Sequence, residues 1–282
     1  MILVTGVNGQ LGFDVIRELS RRKIDYCGIA RKDLDITNRS AVLKYISGLN
    51  PECVIHCAAY TAVEKAEEEP DVCYEANVNG TENIASACKS IDAKMIYIST
   101  EYVFNGNGSE PVEIDHDIKP LSVYGKSKYE GELQVQKYLS KYFIVRISWV
   151  FGINGNNFVK TMLRLGKDRS SLDVVSDQVG SPTYTFDLAS LLCDMAVSEK
   201  YGVYHATNEG FCSWAQFAEI IMEKANLGCN INHITSADYK SKVIRPLNSR
   251  MSKKSLIEAG FKLLPKWQDA LDRFFIEMKL EP

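Results

Sequence analysis

No apolar run in the 282-residue chain approaches the roughly 18 residues that a membrane-spanning helix needs. The apolar start, Met1 to Thr5, stops at Gly6 and lacks the charged lead and cleavage site of a secretory signal, so the cytosol is the expected compartment. An excess of one charge is missing too. Lys and Arg total 33 against 36 Asp and Glu, a formal charge of −3, and the acidic run Glu67-Glu68-Glu69 is short. Nucleic-acid binders carry a basic face or tail, so nucleic acid is not an expected partner. There are only four histidines, and the eight cysteines include no CxxC pair. Nothing therefore has the spacing of a zinc site, and no metal is expected. Several cysteines sit inside apolar runs such as Cys53-Val54-Ile55-His56-Cys57, which reads as buried free thiols rather than a disulfide framework. No internal repeat or low-complexity segment occurs.

Hydrophobic residues make up 45% of the chain and charged residues 24%, an ordinary globular balance. Short apolar runs alternate with helical periodicity. Strands are expected at Ile2–Thr5, Ile24–Ala30, Cys53–Cys57, Lys94–Ser99 and Phe143–Val150. Helices are expected at Leu11–Arg22, Arg39–Ser47, Asp71–Ser90 and Ser122–Lys141. Buried β-branched strands alternating with helices imply a parallel sheet covered on both faces, a doubly wound α/β fold. At roughly 150 residues per domain the length suggests two units. Residues 1–150 read as a Rossmann-type domain, and 151–282 as a smaller mixed lobe interleaved with the end of the sheet. The lobe carries expected helices at Phe158–Gly166, Phe186–Ser198, Ser213–Ala225 and Trp267–Met278, with Ser213 as a helix cap.

Gly6-Val7-Asn8-Gly9-Gln10-Leu11-Gly12 joins the first strand to the first helix. Glycines there permit a tight turn, close approach of backbone to a pyrophosphate, and close helix–strand packing. The free N–H groups and positive dipole end of the helix complete an anion site. The spacing is GxxGxxG rather than GxGxxG. Arg31 and Lys32 follow the second strand, where an acid would select the 2′-hydroxyl of NAD. Two cations favour NADP instead; the competing reading is a pair of solvated surface charges.

Tyr124-Gly125-Lys126-Ser127-Lys128 places a phenol and an ammonium at i and i+4, on one face of a helix. A neighbouring cation lowers a phenol's pKa from about 10 and fits it for proton transfer. Alone, such a pair is ordinary surface decoration. Ser99-Thr100 ends the fourth strand, where ligands lie in open α/β sheets, and Cys57-Ala58-Ala59-Tyr60-Thr61 gives the third a small-residue end. Glycine loop, small-residue strand end, Ser/Thr and YxxxK stand in the chain order of a dinucleotide reductase.

The whole chain resembles the extended short-chain dehydrogenase/reductase family, and within it the branch that reduces dTDP-4-dehydrorhamnose. The resemblance rests on Val4-Thr5-Gly6 with Gly9-Gln10-Leu11-Gly12, Leu34-Asp35-Ile36-Thr37, Asn77-Val78-Asn79, Ser99-Thr100-Glu101-Tyr102-Val103-Phe104, Gln178-Val179-Gly180-Ser181-Pro182-Thr183 and Arg245-Pro246-Leu247-Asn248-Ser249. It implies a catalytic set of Thr100, Tyr124 and Lys128. Cofactor contacts would come from Gly6, Gly9, Gln10, Leu11, Gly12, Arg31, Asp35, Ile36, Ala58, Ala59, Thr61, Ser99, Tyr124 and Lys128. The sugar would meet Thr100, Glu101, Tyr102, Trp149 and Arg245. Trp149 reads equally as a core aromatic, and Arg245 as a partner of a neighbouring loop. The implied reaction is hydride transfer from NADPH, with NADH as the other option, to the C4 ketone of dTDP-4-dehydro-L-rhamnose. Some members of the branch dimerise through carboxylates around a divalent metal. Asp14 matches one such acid, but Tyr184-Thr185-Phe186 offers no second one, so a homodimer stays open while a metal bridge for it is in doubt.

Three other functions have a claim on these motifs. Related 4,6-dehydratases carry Thr-Asp-Glu where this chain has Thr100-Glu101-Tyr102, and the missing second carboxylate disfavours dehydration. A non-catalytic subunit like the β subunit of methionine adenosyltransferase can keep YxxxK. Reduction of another nucleotide-linked 4-keto-6-deoxy sugar is the third alternative.

Overall fold

A computed structural model describes residues 1–239 and 241–280. Strands β1 (Ile2–Thr5), β2 (Tyr26–Ile29), β3 (Cys53–His56), β4 (Lys94–Thr100) and β5 (Tyr142–Ile147) pair in parallel, in the order β2-β1-β3-β4-β5. Past Ile147 the chain leaves the sheet for β6 (Val150–Phe151), β7 (Ser171–Val175), β8 (Val179–Gly180) and β9 (Thr183–Tyr184). It returns at β10 (Gly202–His205), parallel to β5, which makes the sheet six-stranded and entirely parallel. Three short strands follow, β11 (Cys212–Ser213), β12 (Asn230–Ile234) and β13 (Asn248–Ser249). The small sheets β11-β8-β13, β12-β7 and β6-β9 belong to the second half of the chain.

The helices are α1 (Gln10–Arg21), α2 (Arg39–Leu49), α3 (Val63–Ala66), α4 (Pro70–Tyr74), α5 (Gly80–Ser90), α6 (Val123–Tyr138), α7 (Phe158–Asp168), α8 (Thr185–Ala196), α9 (Trp214–Lys224), α10 (Lys254–Glu258) and α11 (Trp267–Leu280). On one face of the sheet Leu11, Val15 and Leu19 of α1 pack with Leu188, Leu191 and Leu192 of α8. On the other, Val42 and Ile46 of α2, Ile84 and Cys88 of α5 and Val135 of α6 meet Leu3, Val54 and Met95. A third core, rich in aromatics, joins Phe151, Tyr184, Phe217, Trp267 and Phe274. All eight cysteines are free, six of them buried. Among the described residues no helix is long and apolar enough to cross a membrane.

Local rules account for most boundaries. Ser213 accepts from the Gln216 amide while Gln216 returns a bond to the Ser213 amide, a capping box that starts α9. Most expected ends shift by one or two residues, and three elements differ more. The helix expected over Asp71–Ser90 is broken by a π-helical turn, Glu75–Asn79, in which Asn77 accepts from the Tyr60 amide at 2.8 Å and donates to its carbonyl. The helix expected to reach Lys141 ends at Tyr138, because Leu139 turns extended and buries its side chain. The strand expected to reach Val150 ends at Ile147: Ser148 donates to the Ser181 carbonyl, and Trp149 adopts φ 50°.

Candidate active site

Strand order reverses at β1 and β3, where chain crossovers diverge and open a crevice at the carboxyl ends of the strands. Two cavities, of about 380 and 660 Å³, meet there at Gly6, Gly9, Cys57 and Ala59, which line both.

Gly6 has φ +73°, and a Cβ on it would lie 2.7 Å from the Ala58 nitrogen. A Cβ on Gly12 would lie 2.3 Å from the Gly6 carbonyl oxygen, so both positions need glycine for packing alone. Gly9 precedes α1 in an extended conformation and offers no side-chain cap. The first-turn N–H groups are therefore left for an anion, in a cradle that suits a diphosphate. Gln10, Leu11, Gly12 and Thr61 line the smaller cavity with Gly6 and Gly9; Arg31, Asp35, Ile36 and Ala58 line the larger one. Lys32 is exposed and lines neither. The Thr37 amide and hydroxyl bond the Asp35 carboxylate at 3.0 and 2.9 Å and hold its pKa below the usual range, with a smaller contribution from Arg31.

Thr100, Glu101, Tyr102, Tyr124 and Lys128 share the smaller cavity. Ser122 caps α6 and aims its first turn at the end of β4, which brings Tyr124 beside Thr100. The expected lowering of the Tyr124 phenol is not what this geometry produces. Burial pushes it well above the ordinary value, with the Glu101 charge adding to the rise and the Thr100 hydroxyl opposing it. The Lys128 ammonium lies over the Tyr97 ring, 4.1 Å from its centroid, and burial pulls its pKa down to about 7. Ser99 lines the same cavity, and its hydroxyl donates to Glu132 at 2.5 Å. Glu132 in turn forms a fork with Arg146, at 2.9 and 2.7 Å, almost wholly out of water.

Trp149 lines the cavity and stacks on Trp214 at 3.7 Å between centroids. A positive φ at a bulky residue costs about 1–3 kcal/mol and persists only where surroundings fix it. Here the stack and the Thr183 amide, which donates to the Trp149 carbonyl, do so. Arg245 reaches the Tyr102 hydroxyl at 3.3 Å and Glu64 at 3.0 Å, and also lines the cavity, so the nucleotide and neighbouring-loop readings both describe its surroundings. Gln178, Trp214, Pro246 and Ser249 line it as well and were not singled out from the sequence. The stretches that hold Gln178 and Arg245–Ser249 carry a family resemblance but no local chemical signal of their own. Trp214 carried just one local signal, its place next to the capping Ser213.

Asp14 is fully buried, accepts from the Thr185 hydroxyl and pairs with Arg17 at 2.7 Å; burial raises its pKa. The residue of the Tyr184-Thr185-Phe186 stretch that meets Asp14 is thus a hydroxyl, not a carboxylate. Among the described residues no three His, Cys, Asp or Glu side chains are grouped to hold a metal ion.

Comparisons with known proteins agree with this geometry. The family model described as RmlD substrate binding domain matches residues 1–280. A dTDP-4-dehydrorhamnose reductase of Aggregatibacter actinomycetemcomitans is 41% identical, with 96% of each chain covered. The spore coat polysaccharide biosynthesis protein SpsK of Bacillus subtilis is 39% identical over 98% of this chain and 97% of its own. The crystal structure of a Bacillus anthracis dTDP-4-dehydrorhamnose reductase in complex with NADP superposes with a TM-score of 0.95, at 43% identity and 98% coverage of both chains. The chain belongs to the RmlD substrate-binding-domain family of the extended short-chain dehydrogenases/reductases.

Proposed function

We propose that this chain reduces the C4 ketone of dTDP-4-dehydro-L-rhamnose with NADPH, yielding dTDP-L-rhamnose. The observation that carries the reading is the meeting of Thr100, Tyr124 and Lys128 with Trp149 in one cavity, at the end of a glycine-lined anion cradle. Relatives of this chain named for the same reduction, one of them holding NADP, support the choice of substrate and cofactor.

When bound, NADPH supplies the hydride. Tyr124 delivers the proton to the oxygen at C4, and burial keeps that phenol protonated until the alkoxide forms. Lys128 holds the nicotinamide ribose hydroxyls, and Thr100 orients the ketone. The Trp149 face covers the deoxysugar and excludes water. Arg245 offers its guanidinium to the nucleotide diphosphate. Tyr102 carries no carboxylate, and burial pushes its phenol up to about 12, so the position supplies no base for a dehydration. In this reading residues 1–150 hold the cofactor and most of 151–282 shapes the sugar side. The cytosol, where NADPH is available, is the compartment.

The test is NADPH oxidation followed by absorbance across a panel of nucleotide-linked 4-keto-6-deoxy sugars. Turnover that depends on dTDP-4-dehydro-L-rhamnose is expected. No turnover with any member, alongside tight association with a synthetase, would instead favour a non-catalytic subunit. The cofactor choice has its own test. A guanidinium–phosphate bond contributes about 1.5–3 kcal/mol, so Arg31→Ala should raise the Kd for NADPH roughly 10- to 100-fold and leave NADH nearly unchanged. An equal effect on both would remove Arg31 from 2′-phosphate recognition.

A further inference from the structure

Between β6 and α7 the second half of the chain crosses back to the glycine turn of the first, and two asparagines of this loop, residues 152–157, make the contact. The Asn154 side-chain amide donates to the Asn8 carbonyl at 2.9 Å and to the Gly9 carbonyl at 3.4 Å. The Asn157 amide donates to the Gln10 side-chain oxygen at 3.0 Å and to the Gly152 carbonyl at 2.8 Å. The Asn157 oxygen meanwhile caps α7, accepting from the Lys160 amide at 3.0 Å. Lys160 reaches back to the Ile153 and Gly155 carbonyls and steadies the loop itself. Three consecutive residues of the turn are thus held from outside. They stand where the two cavities join: Asn8 lines the larger, Gln10 the smaller and Gly9 both.

The bonds fix how the turn's peptides face. In a trans peptide the N–H and C=O point in opposite directions. The Asn8–Gly9 peptide is pinned at both ends, its N–H by the Gly6 carbonyl at 3.0 Å and its C=O by Asn154. The next peptide has its C=O held by the Phe13 amide and by Asn154. Its N–H, on Gln10, therefore faces the other way, toward the cradle. A glycine-rich turn left free would have to be ordered each time an anion binds, and ordering it beforehand removes that cost.

We infer that Asn154 and Asn157 are positioning residues for the cofactor, holding the glycine turn in the shape that presents its N–H groups to the diphosphate of NADPH. The inference rests on the reading of that turn as the diphosphate cradle. Neither side chain lines a cavity; both act through the turn.

Asn154 is only partly buried, so Asn154→Ala should melt within about 2 °C of wild type. Asn157→Ser keeps a cap for α7 and loses the reach to Gln10. Titration of NADPH fluorescence should show a Kd raised about 2- to 10-fold in Asn154→Ala and about 10- to 50-fold in the double variant. Adenosine 2′-monophosphate carries the adenine and the 2′-phosphate but no diphosphate, so its Kd should stay within about twofold in both. Asn156→Ala, an exposed position of the same loop, should change neither ligand. In turnover, KM for NADPH should rise with its Kd while kcat at saturating cofactor stays within about twofold. An unchanged NADPH Kd in the double variant would overturn the inference. So would equal weakening of NADPH and adenosine 2′-monophosphate, which would make the asparagines supports of the fold alone. Failure of the wild-type protein to bind NADPH would overturn the cradle reading, and the inference with it.

Discussion

Replacing Tyr124 by Phe should lower kcat by about 10²- to 10⁴-fold while leaving the Kd for NADPH within about twofold. The substitution keeps the ring, which meets Tyr102 edge-on at 5.5 Å, and removes only the oxygen that carries the proton. Nothing nearby replaces it. The Thr100 hydroxyl is already committed to Glu101 and to the Tyr102 amide. The Lys128 ammonium lies on Tyr97. Water could protonate the alkoxide only in an open cavity. Near-normal steady-state turnover by this variant would dismiss Tyr124 as the proton donor.

The second large effect is on stability. Glu132→Ala should destabilise the fold by about 3–5 kcal/mol, the cost of leaving a buried charge without its partner. It should lower the melting temperature on the order of 10 °C. Arg146 has 5% of its side chain exposed and gives two nitrogens to Glu132, with a third on the Ile114 carbonyl. The Phe104 ring, 5.1 Å from the guanidinium carbon, cannot accept the freed hydrogen bonds as a carboxylate does. Because Ser99 loses its acceptor in the same variant, the floor of the cavity should loosen as well. Pairing Glu132→Met with Arg146→Met should recover most of the lost stability, since removing both charges removes the desolvation problem. A single Glu132→Ala variant that melts like wild type would show the fork to contribute little.

The Glu132–Arg146 fork also marks how far the sequence could be read. Elements whose cause is local were legible: β1 and the glycine turn, the periodic face of α1, the Ser213 cap, and Tyr124 with Lys128 one helical turn apart. What escaped was decided across the fold. Ser99 reads as a free strand-end hydroxyl until Glu132, 33 residues on, is seen beneath it. The phenol of Tyr124 was expected to be lowered by Lys128, but only the assembled core reveals that Tyr97 holds the ammonium and that burial dominates. Trp149 is marked by resemblance, whereas its backing by Trp214 comes from packing of the β5–β6 link on the start of α9 that no spacing announces. Lys32 had the right charge beside Arg31, but the turn after β2 leaves it outside the cavity.

The return of the chain to the sheet at β10 bears on how the cleft can move. The second half is tied to the first both by the strand pairing of β10 with β5 and by α8 packed on α1. A rigid swing of one half away from the other would have to strip four paired residues from the sheet and split an apolar core together. Neither tie behaves as a hinge. The cavity walls are therefore free to shift only where loops form them, and the spacing between Tyr124 on α6 and the glycine turn before α1 is inherited from the sheet itself.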